Sequence, residues 1–90
     1  MKRFIIEREL PEAGKMTPEE LQNMARSSES VISVLGKPYR WIESFVTSNK
    51  IYCIHEAENE DVVREHSHCA NFPVTHVEEI KVTLGPGNAE

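Results

Sequence analysis

The sequence predicts one small α+β domain whose elements follow the order β-α-β-β-α-β. Four segments alternate apolar with polar residues or are rich in β-branched and aromatic side chains, which is typical of strands. Two further segments repeat apolar residues at helical spacing. This order is that of the ferredoxin-like split βαβ arrangement, with both helices on one face of a four-stranded antiparallel sheet.

The length and composition favour a single domain without nucleic-acid or membrane partners. The 90 residues give room for one core, so we expect one domain over residues 1–84 and a flexible tail over 85–90. The net charge of −5 disfavours nucleic acid and anionic membranes and favours cations. No apolar run approaches the ~20 residues of a membrane span, and the N-terminus lacks a signal-peptide core. We therefore expect a cytoplasmic protein.

The first strand is predicted over residues 4–10, before a loop at Pro11 and Gly14. Its side chains alternate between two faces, Phe4, Ile6 and Arg8 on one and Ile5, Glu7 and Glu9 on the other.

The first helix has the clearest local signals. Thr17 is expected to cap it, with Pro18 at the first helical position and Glu20 completing a capping box. Gly36 ends the helix, and Pro38 prevents its continuation.

The remaining elements are a hairpin, a helix and a last strand. Strands over residues 40–47 and Lys50–Ala57 are joined by a turn at Ser48 and Asn49. A helix is predicted over 58–69 and a strand over 76–84. Strict alternation along the second strand gives Trp41, Glu43 and Phe45 a common face. If that face is the open one, two chains are expected to cover it by pairing as a homodimer, sheet against sheet or as a dimeric α/β barrel.

Chemically reactive side chains concentrate in one part of the chain. All four histidines and both cysteines lie between Cys53 and His76. Imidazole and thiolate bind borderline-soft transition metals, and carboxylates can join them. No Cys-x-x-Cys pair is present, so the pattern is not that of a closed zinc site. In a reducing compartment Cys53 and Cys69 are expected to be buried thiols rather than a disulfide.

Five residues are candidate metal ligands, namely Glu7, Glu9, Glu43, His55 and His66. Glu7, Glu9 and Glu43 lie on strand faces that either pack against the helices or are turned away from them. If they are turned away, and the face of His55 is too, these carboxylates and the His55 imidazole line one cavity. For Glu7 and Glu9 the alternative is a solvated rim, paired with Arg8 or Arg40. His66 lies on the helix stripe that faces the sheet, where a packed, hydrogen-bonded histidine is the alternative. His68 and His76 are expected on the surface.

Six short segments resemble a family of small bacterial nickel-binding proteins. They are residues 7–11, 13–15, 41–46, 50–53, 64–66 and 72–73, which read ERELP, AGK, WIESFV, KIYC, REH and FP. The resemblance covers nearly the whole chain, and it implies a ferredoxin-like fold in a dimeric α/β barrel and binding of divalent nickel. In that family the position of Glu43 is often histidine and that of His55 often tyrosine, so the ligand set need not carry over intact.

Three functions compete at this point. The first is a dimeric protein that binds nickel, or another divalent ion, for storage, buffering or sensing. The second is a small monooxygenase- or isomerase-like enzyme with His55 or His66 as general base, in which Trp41 and Phe45 hold an apolar substrate above the open sheet face. The third is an interaction module without a metal, so whether the chain is an enzyme stays open.

Overall fold

The computed structural model describes residues 1–89 and has the predicted element order. Its elements are β1 (Lys2–Glu9), α1 (Pro18–Leu35), β2 (Tyr39–Val46), β3 (Lys50–Ala57), α2 (Glu60–Cys69) and β4 (His76–Ile80), with short 3-10 turns at Ala13–Lys15 and Pro86–Ala89. The strands form one sheet in the order β2-β3-β1-β4, and every neighbouring pair is antiparallel. The α+β class and the four-stranded antiparallel sheet are thereby confirmed, and the topology is that of the ferredoxin-like arrangement.

Helix α1 begins and ends where its sequence signals predict. The Thr17 hydroxyl accepts a hydrogen bond from the Glu20 amide at 3.1 Å, and the Glu20 carboxylate accepts one from the Thr17 amide at 2.9 Å. This reciprocal capping box satisfies two amides that the helix leaves without partners. At the other end Gly36 has a φ of 70°, a left-handed conformation that glycine adopts without strain.

The core lies between the helices and one face of the sheet. Its buried apolar residues come from both central strands, from α2 and from β4, and include Phe4, Ile6, Ile51, Cys53, Val62, Val63 and Val77. Helix α1 adds the partly buried Met24, Ile32 and Leu35. The other face of the sheet is open in the single chain.

The turn at Ala13–Lys15 fixes the loop after β1 against the hairpin. The Gly14 amide donates to the Ser48 carbonyl at 3.0 Å. A Cβ atom at Gly14 would lie 2.8 Å from the Ser48 Cα, closer than side-chain carbons approach backbone atoms. Glycine is therefore required here for the close approach of two backbones.

A β-bulge in β2 overturns the prediction that Trp41, Glu43 and Phe45 share a face. Trp41 pairs with His55, but Glu43 pairs with Ile54, so the register shifts by one residue at Ile42. An extra residue reverses the alternation that follows it. Trp41 consequently faces the helices, whereas Glu43 and Phe45 lie on the open face.

The end of the chain differs from the prediction. Strand β4 stops at Ile80 rather than at residue 84, because Ile80 pairs with Arg3 and β1 begins only one residue before Arg3. Gly85 and Asn88 then close a 3-10 turn through a backbone hydrogen bond of 2.9 Å. The flexibility expected for 85–90 stays a prediction, and residue 90 lies outside the described part of the chain.

The second helix and the cysteines also need correction. Helix α2 starts at Glu60, two residues after the predicted start, because Asn59 caps it by accepting from the Val62 amide at 3.1 Å. Both cysteines are free thiols, and Cys53 is buried as expected. Cys69 is exposed, since it follows the buried part of α2, which ends at Ser67. Within residues 1–89, no helix is long and apolar enough to cross a membrane.

Candidate functional site

The helix side of the sheet carries four buried polar residues. Tyr39, His55 and His66 are in mutual ring contact, and Arg8 lies farther along β1, where it and His66 both approach the Phe72 ring. Strand pairing sets His55 beside Phe4 on β1 and beside Trp41 on β2. His66 reaches the same region from α2. All four side chains are at least nine-tenths buried, so their hydrogen bonds and charges decide what these residues can do.

His55 is held as a neutral imidazole. Its Nδ1 lies 2.5 Å from the Tyr39 hydroxyl, and only 1% of the residue is exposed. Burial is the main cause that lowers the pKa of His55 to about 3; the charge of Arg8, and that of His66 whenever it is protonated, also lower it. Burial likewise raises the pKa of Tyr39, so the phenol keeps its proton. A protonated phenol donating to Nδ1 then leaves the His55 proton on Nε2.

His66 is also neutral and has one nitrogen without a partner. Its Nε2 lies 3.2 Å from the Ser28 carbonyl oxygen, which can only accept, so Nε2 carries the proton. Nδ1 therefore has a free lone pair, and no hydrogen-bond partner lies near it within residues 1–89. The His66 ring stacks on Tyr39 with centroids 4.7 Å apart. Its burial lowers the pKa of His66.

Arg8 is a buried cation, and its importance was missed in the sequence. Its Nη1 donates to the Ser67 hydroxyl at 3.0 Å and to the Pro73 carbonyl at 2.9 Å. Its Nε donates to the Cys53 sulfur at 3.4 Å, and the guanidinium lies 5.2 Å from the Phe72 ring centre. Nη2 has no partner in the part of the chain that the structure describes. The alternation of Arg8 with Phe4 and Ile6 was the signal that placed it in the core.

A cavity of about 220 Å³ lies between α1 and the helix side of the sheet. Its polar groups come from Arg8, Ser28, Ser44, Cys53 and His55. Its apolar walls come from α1, β2, β3 and the segment after α2, and include Leu21, Met24, Trp41, Val46, Ile51 and Phe72. Trp41 lines this helix-side cavity, whereas Phe45 lies on the open face, so the expectation that both hold one apolar substrate above the open face is wrong.

The open face carries a second, exposed set of side chains in two rows. Across β2, β3, β1 and β4 the pairing places Glu43, Ile54, Ile5 and Glu78 in one row and Phe45, Tyr52, Glu7 and His76 in the next. Neighbouring strands are ~5 Å apart, so Glu7 and His76 are immediate neighbours. The His76 Nε2 lies 2.7 Å from a Glu78 carboxylate oxygen. Carboxylates and an imidazole are thus gathered at the β1–β4 side of this face.

The sheet separates the five candidate ligands. Glu7, Glu9 and Glu43 lie on the open face, whereas His55 and His66 are buried on the helix side. The expectation that these strand faces meet in one cavity is wrong for a single chain. Among residues 1–89, no group of three or more His, Cys, Asp or Glu side chains is arranged to hold a metal ion.

The structure also shows the ion-pair partners of Glu7 and Arg40 and the position of His76. Glu7 lies 3.9 Å from the Lys50 ammonium, and Arg40 pairs with Glu56 at 3.5 Å, so neither Arg8 nor Arg40 pairs with Glu7. His76 is exposed as expected, but the register with β1 gives it Glu7 as a neighbour. Pairing of β1 with β4, which the fold class implies, was the signal that makes His76 a candidate ligand.

The fold and the two polar sets define a small ferredoxin-like α+β domain with carboxylates and an imidazole on its open sheet face. Residues 4–80 match the family of nickel responsive proteins described as SCO4226-like, and the chain belongs to that family. The fold is similar to the crystal structure of SCO4226 from Streptomyces coelicolor A3(2), with a TM-score of 0.78 and 14% sequence identity over 91% of this chain and 99% of that chain. No curated protein sequence matches this chain.

Proposed function

We propose that this protein binds divalent nickel as a homodimer and serves in nickel storage, buffering or sensing. Its membership of a family named for its response to nickel supports this function. The net charge of −5 favours a cationic ligand over a nucleic acid. The observation that carries the proposal is the open sheet face, where Glu7, His76 and Glu78 are adjacent.

These side chains have the chemistry that nickel requires. Imidazole nitrogen suits nickel, and carboxylate oxygen completes mixed nitrogen and oxygen ligand sets. His76 is already hydrogen-bonded to Glu78, and such a partner orients an imidazole for metal binding. Glu43 lies two strands away from Glu7, at the β2 edge of the same face.

A second copy of the chain would complete the site. One chain alone, over its described residues, does not arrange three ligands around a common point. The same face exposes apolar side chains, with Phe45 52% and Ile5 36% exposed, and pairing two sheets would remove them from water. Facing sheets pack about 10 Å apart, so glutamate and histidine side chains from both copies reach a shared layer. Metal binding and dimerisation are therefore one proposal.

The helix-side histidines are poorer ligands in this arrangement. His55 and His66 are almost fully buried, and the Arg8 guanidinium on the same side of the sheet repels a second cation. We therefore assign the metal to the open face and leave His55 and His66 out of the ligand set.

Calorimetric titration of metal-stripped protein with nickel, zinc and cobalt tests this function. Light scattering on the same samples gives the oligomeric state. We expect saturable nickel binding below about 1 μM at a fixed ratio per dimer. A folded protein that shows no saturable binding would contradict the proposal.

Matched variants locate the site. Glu7→Gln and His76→Gln remove open-face ligands and should each weaken nickel binding by at least the ~10- to 100-fold that loss of a supporting partner costs. His68→Gln changes an exposed histidine on α2 and should bind nickel as the wild type does. His55→Gln should also retain binding. If His55→Gln loses binding while Glu7→Gln and His76→Gln keep it, the metal lies on the helix side and our assignment is wrong.

A further inference from the structure

We propose that the cavity between α1 and the sheet binds a small apolar monocarboxylate, whose carboxylate pairs with Arg8. This site is separate from the open face and does not depend on the proposed metal function. The uncompensated charge of Arg8, the volume of the cavity and the chemistry of its walls support this assignment.

The charge of Arg8 is not balanced inside the protein. Arg8 is only 3% exposed, and no carboxylate lies within ion-pair distance of it among residues 1–89. Its three hydrogen-bond partners are a hydroxyl, a carbonyl and a thiol, which are all formally neutral groups. A buried, unpaired charge is costly, and one N–H-bearing nitrogen, Nη2, has no acceptor in the described part of the chain. An anion at this position would supply both the charge and the acceptor.

A ligand with a single negative charge would balance the charge at this site. The two buried histidines on the same side of the sheet are neutral, because burial lowers the pKa of each. The buried polar residues therefore carry one net positive charge. A carboxylate matches the guanidinium in charge and in its planar, two-pronged geometry.

The remaining walls select the body of the ligand. Leu21, Met24, Trp41 and Ile51 present apolar surface to the same cavity. The Trp41 indole N–H already donates to the Ser44 hydroxyl at 2.9 Å, so the ring needs no polar partner from a ligand. A compact hydrocarbon body would bury apolar area here, whereas a sugar or a second charge would lose its water without replacement.

The volume limits the size of that body. An engineered apolar cavity of about 150 Å³ accommodates benzene. The cavity here is about 220 Å³, enough for one aromatic ring or a short alkyl chain together with a carboxylate. Val46 lines the cavity and is 43% exposed, so a ligand would enter at the β2 edge. Benzoate and hexanoate represent the two shapes.

The test measures the binding of these probes to the metal-stripped full-length protein. Trp41 is the only tryptophan, so its fluorescence reports on the cavity directly. We expect a saturable change in Trp41 emission with benzoate or hexanoate, confirmed by calorimetry. The neutral analogues benzyl alcohol and hexanol should bind at least about tenfold more weakly, because they cannot form the charged pair with Arg8. No saturable binding of either acid up to about 10 mM would overturn the proposal.

Two variants assign the site. Arg8→Met should weaken acid binding by about ten- to a hundredfold, the range for a hydrogen bond to a charged group. Arg40→Met removes the same charge from the exposed side of β2 and should leave binding unchanged. Equal binding by folded Arg8→Met and wild type would show that Arg8 does not receive the carboxylate.

Ala25→Leu tests the cavity without touching Arg8. Ala25 lines the cavity from α1, and the larger side chain fills part of it. The variant should lose acid binding while retaining the nickel titration of the wild type, which separates this inference from the proposed metal site. Ala25→Leu also tests the proposal if Arg8→Met does not fold. Undiminished acid binding by Ala25→Leu would show that the acid does not bind in this cavity.

Discussion

The buried histidines should make the stability of this domain fall on mild acidification. His55 has a pKa of about 3 in the folded chain against an ordinary value of 6.5, chiefly because it is buried. The unfolded chain therefore binds a proton that the folded chain excludes between these two values. This contribution to stability is complete above pH 6.5 and is lost as the pH falls toward 3.

The size of the effect follows from the linkage slope. Each excluded proton changes the free energy of unfolding by about 1.36 kcal/mol per pH unit. Between pH 7.5 and pH 4.5, His55 alone should cost about 2.7 kcal/mol. His66 acts in the same direction, because its pKa is also lowered by burial. For a domain of this length, whose total stability is expected to be about 5–13 kcal/mol, this loss is substantial.

Urea unfolding at pH 7.5, 6.5, 5.5 and 4.5, followed by circular dichroism, measures the effect. His55→Gln removes the imidazole that excludes a proton. Below pH 6.5 its free energy of unfolding should therefore fall less steeply than that of the wild type, by about 1.36 kcal/mol per pH unit. His68→Gln, an exposed histidine on α2, should follow the wild type and serves as the control. Parallel curves for the wild type and His55→Gln would show that His55 does not exclude a proton in the folded state.

Three further substitutions test the fold, each by its free energy of unfolding in urea. Gly14→Ala should destabilise by about 1–3 kcal/mol, because its Cβ would lie 2.8 Å from the Ser48 Cα; an unchanged midpoint would show that the loop can move. Thr17→Ala removes the cap of α1 and should cost about 1 kcal/mol, whereas Thr17→Ser should restore most of it. Ile6→Ala should lower the free energy of unfolding by about 2–5 kcal/mol, since Ile6 has no exposed surface. A smaller loss would mean that the core closes around the space left by the deleted side chain.

Much of the fold was predictable because its signals are local. The capping box at Thr17 and the glycine at Gly36 depend on neighbouring residues only, and both were found as predicted. Alternation along β1 likewise placed Phe4 and Ile6 on the core side. The length of β4 was not predictable in this way, because it is set by where β1 begins and not by the β4 sequence itself.

The candidate site was harder to predict because it depends on pairing between distant strands. Alternation along β1 placed Arg8 with the core residues, but the absence of a carboxylate near it appears only when α2 and its following loop are packed. His76 gained its neighbour Glu7 only through the β1–β4 register. Alternation along a single strand assigns faces, but it does not identify which residues of other strands lie beside them.

The bulge at Ile42 explains why one strand serves two kinds of chemistry. Before the bulge, Trp41 faces the helices and joins the cavity beside Arg8; after it, Glu43 faces outward with the other carboxylates. Without the extra residue, a regular strand would keep Trp41 and Glu43 on one side and turn the Glu43 carboxylate toward the side of the sheet that holds Arg8. Because the bulge sends Glu43 to the open face, the buried cation stays available for an external anion. The carboxylates stay available for an external cation, so the sheet itself keeps the two proposed ligands of opposite charge apart.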